Sequence, residues 1–150
     1  MLINGISYDE EIRRFLSSAP RYRLAVLKVD SLAREEKALN IGKALAEAIK
    51  PLDRHNEMAF QFSVQEAFSC IIKEHTFIDP VLGDVVVIEN PGILFESVLR
   101  IDVSDVLRRV SRNTLTILMW PGVVDKDRLS FLTSSSVYSI KQSETNYIIL

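Results

Sequence analysis

The sequence predicts an α/β fold built as three layers, with a central, mainly parallel sheet. Three observations carry that expectation. Short segments of strand character alternate with segments whose apolar residues recur at helical spacing. One of them, DVVVIE (Asp84–Glu89), is apolar from its second residue to its last but one, the pattern of a strand covered on both faces. The five prolines, Pro20, Pro51, Pro80, Pro91 and Pro121, fall near boundaries that the apolar pattern marks independently. Alternating elements imply parallel strands joined by right-handed crossovers, with helices on both faces of the sheet.

Each element has its own local reason. Ser7-Tyr8-Asp9-Glu10 fits a capping box, and Tyr8, Ile12, Phe15 and Leu16 then share one helical face up to Pro20. RLAVLKV (Arg23–Val29) predicts a strand. After the polar stretch Asp30–Lys37, ALNIGKALAEAIK (Ala38–Lys50) predicts a helix with Ala38, Ile41, Leu45 and Ile49 inward, stopped by Pro51. MAFQFSV (Met58–Val64) alternates, and Met58, Phe60, Phe62 and Val64 would share one side of a half-buried strand. Ser63-Val64-Gln65-Glu66 repeats the capping-box pattern before a helix that turns Ala67, Phe68, Ile71 and Ile72 inward and ends near His75. Beyond Asp84–Glu89, Asn90-Pro91-Gly92 breaks the chain. A helix is expected over roughly Asp102–Val110, with Val103, Val106, Leu107 and Val110 on one face. TLTILMW (Thr114–Trp120) is the next strand, closed by Pro121-Gly122. Val123–Ser136 reads as loop, and Val137–Ile140 and Tyr147–Leu150 as terminal strands.

The length of 150 residues suits a single domain, with no linker or internal repeat to divide it. Hydrophobic residues at 47% and charged residues at 25% exclude long intrinsic disorder. Eighteen Lys and Arg against twenty Asp and Glu leave a net charge of −2, so no whole-protein basic field draws the chain to nucleic acid. The single cysteine, Cys70, excludes an intrachain disulfide, and its apolar neighbours suggest an inert, buried thiol. His55 and His75 have no ligand partners at helical spacing, so no metal site is expected. With no signal-peptide pattern at the start and no membrane-spanning run, a cytoplasmic protein is the expectation.

Ligands of open α/β sheets bind beyond the carboxyl ends of the strands, so three strand ends are the places to test. After Val29, a phosphate-binding loop would need G-x-x-x-x-G-K-[ST], whose backbone N–H groups and lysine surround phosphates. The best register places Ser31, Glu36, Lys37 and Ala38 on the four signature positions, and only Lys37 matches. Glu35 and Glu36 would also repel a polyphosphate. After Ile88, Glu89 ends a hydrophobic strand, where a carboxylate can position magnesium, and Asn90 follows it. After Met119, Trp120 can anchor a ligand or pack locally with its indole N–H on an acceptor. Arg108, Arg109 and Arg112 cluster at a helix end, where they complement the helix dipole or could serve as a trans-acting arginine. No nucleophile–histidine pair can be assembled, and no catalytic residue is assigned.

The stretch from Val85 to Gly122 resembles the small P-loop-containing BrxF proteins of bacterial BREX phage-defence systems. The resemblance rests on Glu89-Asn90 after a hydrophobic strand, Ile93-Leu94-Phe95, a Leu-bearing helix leading to Ser111-Arg112-Asn113, a Thr-rich strand and Trp120-Pro121-Gly122. Arg128-Leu129-Ser130-Phe131 extends it more weakly, so that it covers about a third of the chain. The resemblance implies a P-loop NTPase-like fold. The residues depart from it at the phosphate loop, replaced by DSLAREEKA (Asp30–Ala38), and at the acidic strand end, where Glu89 stands for aspartate.

The function expected on this basis is that of a non-catalytic accessory or regulatory protein of a phage-defence assembly. It would act through contacts with other protein subunits, or with copies of itself, on a degenerate P-loop fold, with no cofactor and no membrane. Two alternatives stand beside it. An active ATPase with an unusual phosphate loop would bind ATP and magnesium through Lys37, Glu89, Asn90 and Arg112. A nucleic-acid-binding module would use Arg108, Arg109 and Arg112. None of the five glycines (Gly5, Gly42, Gly83, Gly92 and Gly122) lies in the loop after Val29, where a phosphate cradle requires them.

Overall fold

A computed structural model describes residues 1–29, 37–132 and 137–150. The chain opens with a hairpin of β1 (Leu2–Ile3) and β2 (Ile6–Ser7), in which Leu2 pairs with Ser7 and Ile3 with Ile6. Asn4 and Gly5 form its turn with φ of 51° and 76°. That geometry matches a type I′ turn, for which Asn-Gly is the strongest short signal. Helix α1 (Asp9–Ser17) follows, capped at Tyr8 without a side-chain bond. The expected capping box is not formed: Ser7 Oγ only approaches the Asp9 N–H, at 3.5 Å.

Strand β3 (Leu24–Lys28) and strand β4 (Leu39–Asn40) follow. The helix expected from Ala38 is shorter: α2 runs Ile41–Ile49, because Leu39 and Asn40 pair with Ile88 and Glu89 before the helix starts. The strand expected over Met58–Val64 is a helix. A single α3 (Glu57–His75) absorbs it together with the helix expected after it. Asn56 starts α3 by accepting the Ala59 N–H at 3.0 Å, so Ser63 lies in the helix interior and caps nothing. The apparent alternation dissolves on the helix: Phe60 and Val64 are buried, whereas Met58 and Phe62 are exposed. Cys70, expected inside, is exposed on this helix, because the buried stripe runs through Phe68, Ile71 and Ile72.

Strand β5 (Phe77–Asp79) returns antiparallel to β6 (Gly83–Glu89). Two short 3-10 turns, Pro91–Phe95 and Ser97–Leu99, lead to α4 (Val103–Ser111), whose N-cap Asp102 accepts the Asp105 N–H. Strand β7 (Leu115–Trp120) is buried along its whole length. The segment expected to be loop instead forms β8 (Val123–Val124) and β9 (Arg128–Leu132), which with β10 (Val137–Lys141) make a separate antiparallel sheet in the order β10-β9-β8. A short α5 (Gln142–Thr145) precedes β11 (Ile148–Ile149).

The main sheet has the order β11-β3-β7-β6-β4, all parallel, with β5 added antiparallel along β6. Alternate residues of each strand enter two different cores. Leu24, Val26, Val86, Ile88, Leu118 and Trp120 face α2, α3 and α4. Ala25, Leu27, Val85, Val87, Ile117 and Met119 face α1 and the β1–β2 hairpin. The α/β class and the mainly parallel sheet covered on both faces are therefore as the sequence predicts. Among the described residues, no helix is long and apolar enough to cross a membrane.

Candidate functional site

From β3 the chain passes over β7 and β6 to reach β4, whereas from β7 it passes over β3 to reach β11. The two connections leave neighbouring strands in opposite directions. The crevice outside the carboxyl ends of β3 and β7 is thus the topological switch point, where an open sheet takes its ligand.

Among the described residues, the protein's own groups cover the neighbouring carboxyl ends of β6 and β7. The Val29 N–H donates to the Trp120 carbonyl at 3.0 Å, so β3 and β7 stay paired past the end of β3. Trp120 is 1% exposed, and its indole N–H donates to the Ser130 carbonyl at 3.0 Å. Phe95 meets the indole edge-on, at 5.9 Å between ring centroids. Tyr138 stacks on Phe95 at 5.0 Å and lies nearly parallel to Phe131 at 6.4 Å. Phe131 and Tyr138 are a cross-strand pair of β9 and β10, so the small antiparallel sheet lays its apolar face over the rim. A cavity of about 50 Å³ remains, lined by Asn90, Pro91, Gly92, Phe95, Trp120, Pro121 and Phe131.

Local sequence explains this closure. Pro121 cannot extend the ladder of β7. Gly122 lies so close to β9 that a Cβ there would collide with the Ser130 carbonyl and the Trp120 indole nitrogen. At the other side of the rim, Asn90 takes the left-handed conformation (φ 54°, ψ 56°), which asparagine tolerates better than most residues. Its amide donates to Asn40 Oδ1 at 2.9 Å, and the same oxygen accepts the Lys43 N–H at 3.0 Å. Gly42 leaves the room for this, since a Cβ there would collide with the Asn90 carboxamide. The first turn of α2 is therefore capped from within.

The four residues assigned to a conditional nucleotide site do not form one constellation. Glu89 and Asn90 lie together at the carboxyl rim, with Glu89 opposite Asn40. Lys37 lies away from them. Its ammonium is 5.8 Å from the centroid of Phe77, a residue paired with Val85 in the amino-terminal half of β6. Arg112 follows α4 and precedes β7, at the opposite end of the sheet. Ser31, Glu35 and Glu36 lie outside the described residues. Of the arginine cluster, Arg109 pairs with Asp105, and Arg108 reaches Asp105 at 3.7 Å and the Glu144 carbonyl at 3.2 Å.

The residues that fill the rim without having been singled out are Asn40 and Tyr138, and Phe131, named only in the weaker part of the resemblance, joins them. Leu129 and Phe131 alternate with polar neighbours in RLSFL, a strand signal that the serine-rich stretch after it obscures. Tyr147 ties the new sheet to the main one by donating to the Asp125 carbonyl at 2.7 Å. Burial pushes its phenol above the ordinary range, and the carboxylates of Asp125 and Asp127 add to this, so it remains a donor. No protein-family model, no curated protein and no solved structure matches this chain.

Proposed function

We propose that this protein is a non-catalytic accessory subunit with a degenerate P-loop NTPase-like fold, working through contacts with other proteins of a phage-defence assembly. The observation that carries the non-catalytic part is the covering of the β6 and β7 ends by the protein's own side chains. Ligand pockets for small molecules hold roughly 300–1,000 Å³, whereas the cavity between Asn90 and Trp120 is about 50 Å³. Two polar groups at the described part of the rim are already engaged: Asn40 caps α2, and Asn90 bonds to Asn40. The switch point between β3 and β7 supports a nucleotide-type ancestry for the sheet, and the defence context rests on the resemblance of Val85–Gly122 alone.

Exposed apolar side chains support a role in protein contact. Met58 and Phe62 stand one turn apart on the outer face of α3, 81% and 63% exposed. Isothermal calorimetry with ATP and magnesium tests the reading: no saturable heat is expected. Saturable binding that disappears in Lys37→Ala would sink it in favour of the ATPase alternative. Co-purification of the tagged protein from cells carrying a defence locus tests the assembly. A partner retained by the native chain and lost from Met58→Asp/Phe62→Asp is the expected result.

A further inference from the structure

The end of the sheet opposite the closed rim gathers cations from four elements. Arg23 stands just before β3 and Arg112 just before β7, and the two neighbourhoods touch: the Arg23 N–H donates to the Ser111 carbonyl at 2.7 Å, and the Arg23 guanidinium reaches the Asn113 carbonyl at 3.4 Å. Arg21 lies two residues earlier on the same approach to β3, over the ring of Tyr22. Across the start of β6, an open depression of about 550 Å³ is lined by Lys73 of α3 and Arg109 of α4, with Asn113 and Thr114 as further polar groups. Arg21, Arg23, Lys73, Arg109 and Arg112 are exposed, and all but Arg109 have no acidic partner among the described residues. Asp84 and Asp105 are the acids that oppose them along this edge.

Helix dipoles account for only part of this. Lys73 and Arg109 stand in the last turns of α3 and α4, and Arg112 just beyond α4, where a cation is favoured. Arg21 and Arg23 precede a strand and gain nothing from a helix end. A helix terminus offers about half an elementary charge, and the cations here exceed what two such ends would neutralise. The chain as a whole carries −2, so this positive edge is a local segregation of charge and not a consequence of composition.

We infer that the amino-terminal edge of the parallel sheet is a binding surface for the phosphate backbone of nucleic acid. Neighbouring strands are about 4.8 Å apart, so Arg23, Arg112 and the Lys73–Arg109 depression form a stripe crossing β3, β7 and β6. The hydroxyl and amide groups among them, Thr114 and Asn113, suit phosphate oxygens, which accept hydrogen bonds from such groups as well as from cations. No aromatic side chain is exposed on the stripe for stacking on bases, and Tyr22 is buried. The surface therefore reads charge and not sequence. This surface is independent of the closed rim and of the accessory role proposed above.

Fluorescence anisotropy with a labelled DNA duplex of arbitrary sequence, in low salt and then across a salt series, tests the inference. The native protein binds, and affinity falls with salt with a slope of about 0.9 per phosphate contact. Arg23→Ala/Lys73→Ala/Arg112→Ala weakens binding by about tenfold or more and flattens the slope. Arg23→Lys/Arg112→Lys keeps both, which separates lost charge from lost fold. Arg54→Ala, beyond the far end of α3, whose stretch from Glu57 to Lys73 alone spans about 24 Å, changes neither. Absence of duplex binding at low salt overturns the inference, as does an affinity that the triple alanine variant leaves intact. Stronger competition by polyglutamate than by unlabelled duplex at equal charge would overturn it in favour of an acidic protein partner.

Discussion

At the scale of single residues, two positions show how close contact and charge set local stability. Gly122 is there for space: its hydrogen stands where any Cβ would meet the Ser130 carbonyl, the acceptor of the Trp120 indole. Gly122→Ala should push β9 outward, break that bond and leave a buried N–H unsatisfied. The expected loss is roughly 1–3 kcal/mol, read from urea denaturation, with a red shift of tryptophan fluorescence as the ring becomes wetter. Asp79 is the charge case. Burial raises its carboxyl, but the N–H groups of Val81 and Leu82, with the positive charges of the chain's α-ammonium and Lys37, outweigh burial and hold it below the ordinary aspartate value. A carboxyl depressed in the folded state binds fewer protons folded than unfolded. Its stabilisation is complete above the unfolded-state value near 4 and is lost as pH falls through that value and then the folded one. Urea midpoints measured from neutral pH down to pH about 3 should therefore fall more steeply in the native protein than in Asp79→Asn. Equal slopes would show that Asp79 contributes nothing to acid sensitivity.

At the scale of elements, α3 is the instructive case. MAFQFSV alternates as a half-buried strand does, and both Phe60 and Phe62 would then lie inside. On the helix they lie on different faces, Phe60 buried and Phe62 63% exposed. The two structures predict different energetics. Phe60→Ala should cost about 3–5 kcal/mol as a core cavity, and Phe62→Ala no more than about 0.5 kcal/mol as a surface change. Equal costs would argue for the strand. A signal for the helix was present in Asn56, a good N-cap directly before the segment, but period-2 alternation over seven residues competes with it, and tertiary packing against α2 decides. Elements with one dominant signal were legible: β3, β6, β7 and α4 lie within a residue or two of their expected bounds. The β1–β2 hairpin was not read, although Asn4-Gly5 carries a turn signal, because its strands are two residues each, too short for periodicity to register. Of the β8–β9–β10 sheet only β10 was expected as a strand, over Val137–Ile140; its cover over the rim depends on pairings such as Phe131 with Tyr138 that no local pattern encodes.

At the scale of the whole molecule, the same non-local closure decides what the sheet can bind. The sequence shows that glycines are missing after Val29, but not that Phe95, Phe131 and Tyr138 would stack over the carboxyl end of β7. Nor does it show that Lys37 and Arg112 stand away from Glu89, since strand order and crossover direction place them. The closed rim makes a prediction about global stability. A ligand that binds only the folded state stabilises it by about 2.7 kcal/mol when present at a hundred times its dissociation constant. For a domain of this size each kcal/mol moves the melting temperature by about 2–4 °C. An ATPase site of micromolar affinity, saturated with ATP and magnesium, would therefore raise the melting temperature by roughly 5–10 °C. With the rim filled by its own side chains, the protein should melt at the same temperature with and without nucleotide. Opening the rim supplies the converse measurement. Tyr138→Ala removes the middle ring of the Phe95–Tyr138–Phe131 stack and should lower stability without creating a nucleotide response. A nucleotide-dependent rise in the native protein would mean that the crevice opens to admit the ligand, and the accessory reading would fall with it.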